Sequence, residues 1–198
     1  MSKAVLISIR PKWCELIASG KKTIEVRKTA PKIETPFKCY IYCTKEGRGV
    51  GEIPYRHFYQ SEDGPKHFLG GTVIGEFVCD KTEVYDYEYC THPEIGMDYD
   101  CGDNWFCIDD IALKNACMSY EELRAYAGNK DVCGWHISNL VIYDEPIQLR
   151  SFMKKPCDFA ATCGACRHAK WLGGISFDGC DFEMTHPPQS WCYVEEKT

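Results

Sequence analysis

The stretch SIRPKWCELIASGKKTIEVRK, residues 8–28, contains the pattern that decides the fold. It overlaps the apolar run 4–9, which predicts a first strand. Pro11 suits the first position of a helix, and Gly20 suits the position just past its end. Between them, apolar residues repeat at intervals of three and four, which indicates one buried helical face. The stretch therefore predicts a strand, a short helix and a second strand.

The second strand, TIEVRK at residues 23–28, alternates polar and apolar side chains. Successive side chains of a strand point to opposite faces, so Thr23, Glu25 and Arg27 should share one face. Lys22 precedes the strand at its corner with the helix, from which its amine can reach over that face. A lysine, a carboxylate and a guanidinium are therefore expected close together.

Two interpretations of this polar face are open. In the first it is a solvent-exposed strand face with a Glu25–Arg27 ion pair worth less than about 1 kcal/mol. In the second, Lys22, Glu25 and Arg27 form a functional site. A lysine beside a carboxylate and an arginine can clamp an anion, and a desolvated lysine can act as a general base.

The composition fits one domain with a small appendage. The chain has 198 residues, 44% of them apolar, which is enough for a core and too many for a disordered chain. No apolar run approaches the length of a membrane span. The N-terminal segment MSKAVLISIRPKW lacks the long apolar stretch and the cleavage site of a signal peptide. We therefore expect a cytoplasmic protein with no membrane partner.

Charge is unevenly distributed along the chain, whose formal net charge is −6. Residues 1–56 carry +7, residues 57–150 carry −12 and residues 151–198 carry −1. A basic segment in an acidic protein indicates a face that binds an anion, unless the fold mixes the segments into an even surface. The candidate binding residues at the rim of such a site are Arg10, Lys12, Lys21 and Thr23.

The remainder of the chain predicts an α+β fold. The predicted strands are 37–44, 71–87 and 132–146. The predicted helices are 105–116 and 119–128, and the predicted irregular segments are 45–71 and 88–104. Ser119 and Glu122 form a capping box, and irregularities are expected in the strands at Gly75 and Asn139. Mostly non-local strands with short helices indicate a small mixed β-barrel.

Four cysteines near the C-terminus have the spacing of a metal site. Cys163 and Cys166 form a C-x2-C pair, and Cys180 and Cys192 follow. A C-x2-C turn can place two thiolates on one Zn²⁺, and this segment has too few aliphatic residues to fold readily without a staple. We therefore predict a structural Zn²⁺ with these four ligands.

Alternatives to this metal site remain. Cys157, His168 and His186 are rival ligands, and a redox dithiol or unpaired cysteines would explain the same spacing.

The predicted domains are a barrel at residues 1–150 and a zinc-binding tail at residues 151–198. The cysteines inside apolar runs are predicted to be free thiols that pack as small hydrophobic residues. These are Cys39, Cys43, Cys79 and Cys133.

Other side chains are candidates for the site. Glu76, in VIGEF, is either an acid–base partner of Lys22 or an exposed residue on the outer strand face. His136 either contacts a base or is a hydrogen-bonded surface histidine. Trp105 and Trp135 can each stack on a base, which is worth about 1–3 kcal/mol, or can fill the core.

A helix followed by G-x-K-T-x-E-x-R resembles the signature of the ASCH superfamily. In this chain the pattern is carried by Gly20, Lys22, Thr23, Glu25 and Arg27. The resemblance is tight over residues 4–28 and looser to about residue 150. The tail, which ends in PPQSWCYVEE, is similar to cysteine-bearing extensions of phage-related and bacterial ASCH proteins.

This resemblance implies a PUA-like mixed β-barrel with short flanking helices, and PUA-like barrels generally bind RNA. Relatives in this fold recognise modified bases in aromatic pockets. One branch of the superfamily hydrolyses N4-acylcytidine with a lysine, a threonine and a glutamate. Its lysine corresponds to Lys22, whereas Glu25 stands where its catalytic threonine would be.

Three hypotheses about function follow. The first is a binding module for RNA or a modified nucleoside, with a basic cleft built on the signature. The second is a hydrolase acting on nucleosides or RNA, in which Lys22 is the base, Glu25 the carboxylate and Arg27 the stabiliser of an oxyanion. The third is a protein-interaction module that docks a partner through the zinc tail or residues 45–71.

Overall fold

The structure is a computed structural model that describes residues 3–45, 56–61, 64–89, 104–154 and 182–197. For residues 56–61, 64–69, 88–89 and 104–105 it describes the backbone alone.

Strands predominate among the described residues, and the helices there are short. The strands are β1 (Lys3–Ile9), β2 (Ile24–Arg27), β3 (Phe37–Cys43), β4 (Arg56–Ser61), β5 (Gly64–Leu69), β6 (Thr72–Tyr85), β7 (Tyr87–Tyr89), β8 (Asn104–Phe106), β9 (Val132–Gln148) and β10 (Trp191–Glu195). The helices are α1 (Pro11–Ala18), α2 (Asp110–Ala116) and α3 (Tyr120–Ala127), and a 3-10 helix spans Leu149–Ser151. None of the helices in these ranges is long and apolar enough to cross a membrane.

The chain divides into two compact units. Unit 1 comprises Met1–Cys14, Lys38–Phe77 and Val141–Thr198, and unit 2 comprises Glu15–Phe37 and Val78–Leu140. The larger sheet has six strands in the order β10-β1-β3-β6-β9-β2. Strands β10, β1 and β3 lie in unit 1 and β2 lies in unit 2, whereas β6 and β9 continue from one unit into the other.

Unit 1 is built around β1, which pairs in parallel with β3 and antiparallel with β10. Its apolar core is formed by Ala4, Leu6, Tyr40, Tyr42, Val73, Leu149, Phe152, Met184 and Val194. Gly75 on β6 lies against β9, and a Cβ there would collide with the carbonyl oxygen of Val141. The predicted irregularity at Gly75 is therefore a close backbone approach that a larger residue would block.

Unit 2 packs α2 and α3 against one face of β2. Ile24 and Val26 join an apolar core with Ala112, Ala116, Leu123, Ala127 and Val132. On the neighbouring strand, the Trp135 ring is fully buried and makes an edge contact with Phe37, with the ring centroids 5.9 Å apart. The prediction that Trp135 fills the core is therefore confirmed.

Most elements predicted from the sequence are present. The capping box of α3 is confirmed, because the Glu122 N–H donates to Ser119 Oγ and the Ser119 N–H donates to Glu122 Oε2. Asn139 has a φ of +47°, at the predicted irregularity of β9. Cys39, Cys43 and Cys79 are fully buried, as expected for small hydrophobic residues, whereas Cys133 is half-buried.

Two predictions of local structure are wrong. Residues 45–71 were expected to be a loop, but β4 and β5 form an antiparallel hairpin there, with Ser61 paired to Gly64. The glycines that suggested a loop lie mostly outside these two strands, which carry aromatic residues suited to a strand. The predicted helix 105–116 begins only at Asp110, because Trp105 and Phe106 belong to β8, which pairs with β7.

The described end of the predicted tail belongs to unit 1. Strand β10 pairs with β1, with Cys192 opposite Leu6, and Met153 forms an isolated bridge with Glu183. Residues 155–181 lie outside the described residues. The predicted boundary at residue 150 stays a prediction.

Thiol labelling tests whether Cys39, Cys43 and Cys79 are buried in the core. Burial raises the pKa of the Cys79 thiol to about 12, whereas Cys107 is exposed. Because the thiolate is the reactive form, a maleimide should modify Cys107 well before Cys39, Cys43 or Cys79 in the native protein. Peptide mass mapping after timed labelling measures these rates.

Labelling in concentrated urea is the control, and all the thiols should then react at similar rates. Equal rates for Cys79 and Cys107 in the native protein would contradict the described core.

Candidate functional site

The end of α1 places Lys22. Gly20 has a φ of +71°, and its N–H donates to the carbonyl of Ile17 at 2.8 Å. The N–H groups of Lys21 and Lys22 both donate to the carbonyl of Leu16 at 2.9 Å. The bonds from Gly20 and Lys21 form a Schellman motif, in which a left-handed glycine ends a helix and reverses the chain. The predicted helix stop is confirmed, and it directs Lys22 towards β2.

The segment that follows Gly20 also caps the end of α2. The N–H groups of Cys117 and Met118 return to the carbonyls of Lys114 and Leu113. The carbonyl of Asn115 accepts from the Thr23 N–H at 2.9 Å. The carbonyl of Ala116 accepts from Lys22 Nζ at 2.5 Å. All four final carbonyls of α2, which have no partner inside the helix, are thereby satisfied.

Three signature side chains meet on the polar face of β2. Lys22 Nζ lies 3.4 Å from Glu25 Oε2, and Arg27 Nη2 lies 2.9 Å from Glu25 Oε1. Lys22, Glu25 and Arg27 are only 2%, 5% and 8% exposed. The interpretation of this face as a solvent-exposed strand is therefore wrong. The predicted alternation is confirmed, but the side chains on both faces of β2 are buried.

Burial changes what this cluster can do. Removing a charge from water costs several kcal/mol unless a partner compensates it, so buried charges are held in fixed pairs. In this geometry Lys22 Nζ is a hydrogen-bond donor to the Ala116 carbonyl and an ion-pair partner of Glu25. Such a lysine orients the carboxylate, whereas a general base would need its lone pair free to face the substrate.

Tyr126, in the last turn of α3, is close enough to the cluster for the charges of Glu25 and Arg27 to act on its phenol. Burial raises the pKa of its phenol, while the Arg27 guanidinium lowers it and the Glu25 carboxylate raises it further. The Lys28 N–H donates to the Tyr126 oxygen, and Lys28 Nζ lies 5.4 Å from the centre of the ring. With 37% of its surface exposed, Tyr126 is in contact with solvent. Its neighbours on β2 are buried.

The predicted rim residues are exposed, as a binding role requires. Arg10 and Lys12 lie in unit 1 at the start of α1, and Lys12 Nζ is 4.5 Å from the centre of the Trp13 ring. Lys21 and Thr23 lie in unit 2 after α1.

Glu76 has partners of its own in unit 1. Its carboxylate accepts from Tyr143 Oη at 2.6 Å and from Lys38 Nζ at 3.1 Å. Burial and the carboxylate raise the pKa of the Tyr143 phenol, with burial the larger cause. Glu76 is half-buried in this network, so the expectation of an exposed position is wrong. Pairing between Glu76 and Lys22 stays a prediction.

His136 lies on β9 in unit 2 and is half-buried. Its Nε2 is 3.3 Å from Glu83 Oε2, and Lys81 Nζ is 2.9 Å from Glu83 Oε1. The hydrogen bond from Lys81 lowers the pKa of the Glu83 carboxyl, and His136 lowers it further. His136 is thus a hydrogen-bonded histidine near the surface. The Trp105 side chain lies outside what the structure describes.

Most of the predicted zinc ligands lie outside the described residues. These are Cys163, Cys166 and Cys180, together with the rivals Cys157 and His168. Cys192 is described on β10, where burial raises the pKa of its thiol to about 11. His186 is exposed, with its Nδ1 3.0 Å from Thr185 Oγ1. In the ranges that the structure covers, no three or more acidic, histidine or cysteine residues are grouped to hold a metal ion.

The family model of the ASCH domain matches residues 7–86. The predicted ASCH domain is confirmed over this range. The match includes all five signature residues and ends within one residue of the end of β6. No curated protein matches the sequence.

Two solved ASCH structures share this fold. The crystal structure of ASCH from Zymomonas mobilis is 18% identical, with a TM-score of 0.50, and the match covers 98% of this chain and 88% of that chain. A serine-to-alanine mutant of the Zymomonas mobilis protein has the same identity and TM-score, with 98% and 89% covered. The mixed α+β architecture with a six-stranded sheet is therefore that of an ASCH fold.

Sequence patterns missed two parts of the site. The carbonyl end of α2 caps the signature from 94 residues away, and no local periodicity links the two segments. Tyr126 also lies far along the chain from β2, in a helix recognised only by its caps. The sequence shows only that an aromatic residue stands near the end of the predicted helix 119–128, and this pattern is too common to identify a site.

Substitution of Lys22 tests its position in the cluster. Lys22→Met keeps most of the apolar stem but leaves Glu25 and the Ala116 carbonyl without the ammonium. We expect the free energy of unfolding in urea to fall by about 3 kcal/mol, as for other buried pairs that lose one partner.

Lys21→Met is the matched control, because Lys21 is adjacent and exposed. It should change the free energy of unfolding by no more than about 0.5 kcal/mol. Equal effects of the two substitutions would contradict the buried position of Lys22.

Proposed function

We propose that this protein binds RNA or a modified nucleoside through a site built on the ASCH signature. The observation that carries the proposal is the buried cluster of Lys22, Glu25 and Arg27 within the matched residues 7–86. ASCH domains are generally RNA-binding PUA-like domains. The cluster supplies a fixed carboxylate and a fixed guanidinium, which are suited to hydrogen bonding with base edges.

The exposed cations around α1 supply the electrostatic part of this proposal. Arg10, Lys12 and Lys21 are exposed before, within and after the helix. Contacts with phosphate position a nucleic acid and provide most of its salt-dependent affinity, whereas contacts with bases provide selectivity. An exposed lysine can contact phosphate without first breaking a buried pair. Lys21 is therefore better placed for phosphate than Lys22.

Salt dependence of RNA binding tests the proposal. Fluorescence anisotropy with a short labelled single-stranded RNA should show affinity that falls steeply with salt. The slope of log affinity against log salt should be smaller by about 1 in Lys21→Gln, since one phosphate contact is lost.

Lys114→Gln is the control for this experiment, because Lys114 is exposed on α2. It should leave the slope unchanged. Absence of binding by short RNAs and free modified nucleosides would refute the proposal. Turnover of acylated cytidines that Lys22→Met abolishes in the folded protein would favour the hydrolase hypothesis instead.

We also propose that the C-terminal segment holds a structural Zn²⁺ with Cys163, Cys166, Cys180 and Cys192 as ligands. The C-x2-C spacing supports this, and four thiolates would complete a tetrahedral site with no open position for catalysis. Zinc would then stabilise a segment with few aliphatic residues, and a protein partner could dock on it.

Metal analysis tests the zinc proposal. The purified protein should contain about one Zn²⁺ per chain, as expected for a single four-cysteine site. Cys163→Ser should lose the metal, whereas Cys107→Ser, which changes an exposed cysteine on another segment, should keep it. A metal-free protein whose tail resists proteolysis would overturn this proposal.

A further inference from the structure

Tyr126 and Lys28 form an exposed pair at the end of β2. Lys28 is the first residue after the strand, and Tyr126 is in the last turn of α3. A backbone hydrogen bond from Lys28 reaches the phenol oxygen at the tip of the ring. The Lys28 ammonium lies 5.4 Å from the ring centre, within the range of a cation–π contact. A ring with these two contacts to Lys28 that is also 37% exposed offers a surface for stacking.

The pair is also within electrostatic range of the proposed site, and Lys28 directly follows Arg27 in the chain. The Glu25 carboxylate and the Arg27 guanidinium both act electrostatically on the Tyr126 phenol. Those two side chains are buried, whereas Tyr126 is more than one third exposed and Lys28 is exposed. A ligand that approaches the buried cluster along this side therefore meets the tyrosine and the lysine first.

The pair combines a ring that suits a base with an ammonium that suits a phosphate, which are two parts of a single nucleotide. Aromatic side chains stack on bases of single-stranded nucleic acids, and lysine side chains contact the adjoining phosphates. A tyrosine has few rotatable bonds, so it offers a large contact area with little loss of conformational entropy. The Lys28 stem is flexible, and its ammonium can move from the ring to a phosphate while Tyr126 stays in place.

We propose that Tyr126 stacks on an unpaired base of single-stranded RNA while Lys28 contacts the phosphate of the same nucleotide. This assignment rests on the proposed RNA-binding function and adds the residues that select an unpaired strand. A duplex keeps its bases stacked on each other, so it cannot use the tyrosine in this way.

The experiment uses short RNAs that carry 2-aminopurine at successive positions, mixed with the full-length protein. Fluorescence of 2-aminopurine reports stacking at one position. In Tyr126→Leu the stacking signal should disappear, and affinity should fall by about 5- to 150-fold, the range measured for loss of one base–aromatic contact. Tyr126→Phe keeps the ring and should retain the signal. Urea unfolding of each variant checks that the fold is intact.

Lys28→Gln tests the phosphate contact in an exposed residue, where folding is not at risk. It should reduce the salt slope by about 1. Unit 1 offers a matched control, because Lys3 Nζ lies 5.7 Å from the ring of Tyr193 in a similar pair. Lys3→Gln should leave both the slope and the fluorescence signal unchanged.

Three results would overturn the assignment. The first is that Tyr126→Leu and Lys28→Gln bind RNA with the affinity, 2-aminopurine signal and salt slope of the wild type. The proposed RNA-binding function would be unaffected by that result. Another is equal affinity for single-stranded and duplex RNA of the same sequence. The third is no RNA binding by the wild-type protein, which would refute the proposed function as well.

Discussion

A buried ammonium is the constraint on which the described site depends. Lys22 Nζ donates to the last carbonyl of α2 and pairs with Glu25, at 2% exposure. A charge without compensation at that depth would be strongly unfavourable, so these partners must stay in place. One side chain thereby connects the end of α1, the end of α2 and the polar face of β2. Within unit 2, these elements are held by electrostatics as well as by the apolar core on the other face.

This arrangement separates the signature into a buried part and an exposed part. Lys22, Glu25 and Arg27 hold one another in place through ion pairs. Lys21, which precedes Lys22, and Thr23, which follows it, are exposed to solvent. The buried residues preorganise hydrogen-bonding groups, and the exposed cations can meet a polyanion without loss of a buried pair. A family signature of this kind therefore combines residues that shape a site with residues that contact a ligand.

Local rules accounted for much of the fold. Pro11 and Gly20 bounded α1, the capping box of Ser119 started α3, and alternation identified the two faces of β2. These succeeded because each depends on hydrogen bonds or side-chain directions within a few residues. The hairpin of β4 and β5 was missed because neighbouring glycines dominated the composition of residues 45–71. Trp105 and Phe106 were placed in a helix because pairing with β7 is not visible in the local sequence.

The sequence by itself determined which residues of β2 share a face, and it determined that the chain reverses at Gly20. Both follow from backbone geometry, which is local. Only the tertiary structure decided that the polar face is buried, that the Ala116 carbonyl accepts a hydrogen bond from Lys22, and that the charge of Arg27 acts on the Tyr126 phenol. Alternation specifies the direction of a side chain but not what covers it. The covering elements lie about half the chain away, and their packing is set by the core that joins α2 and α3 to β2.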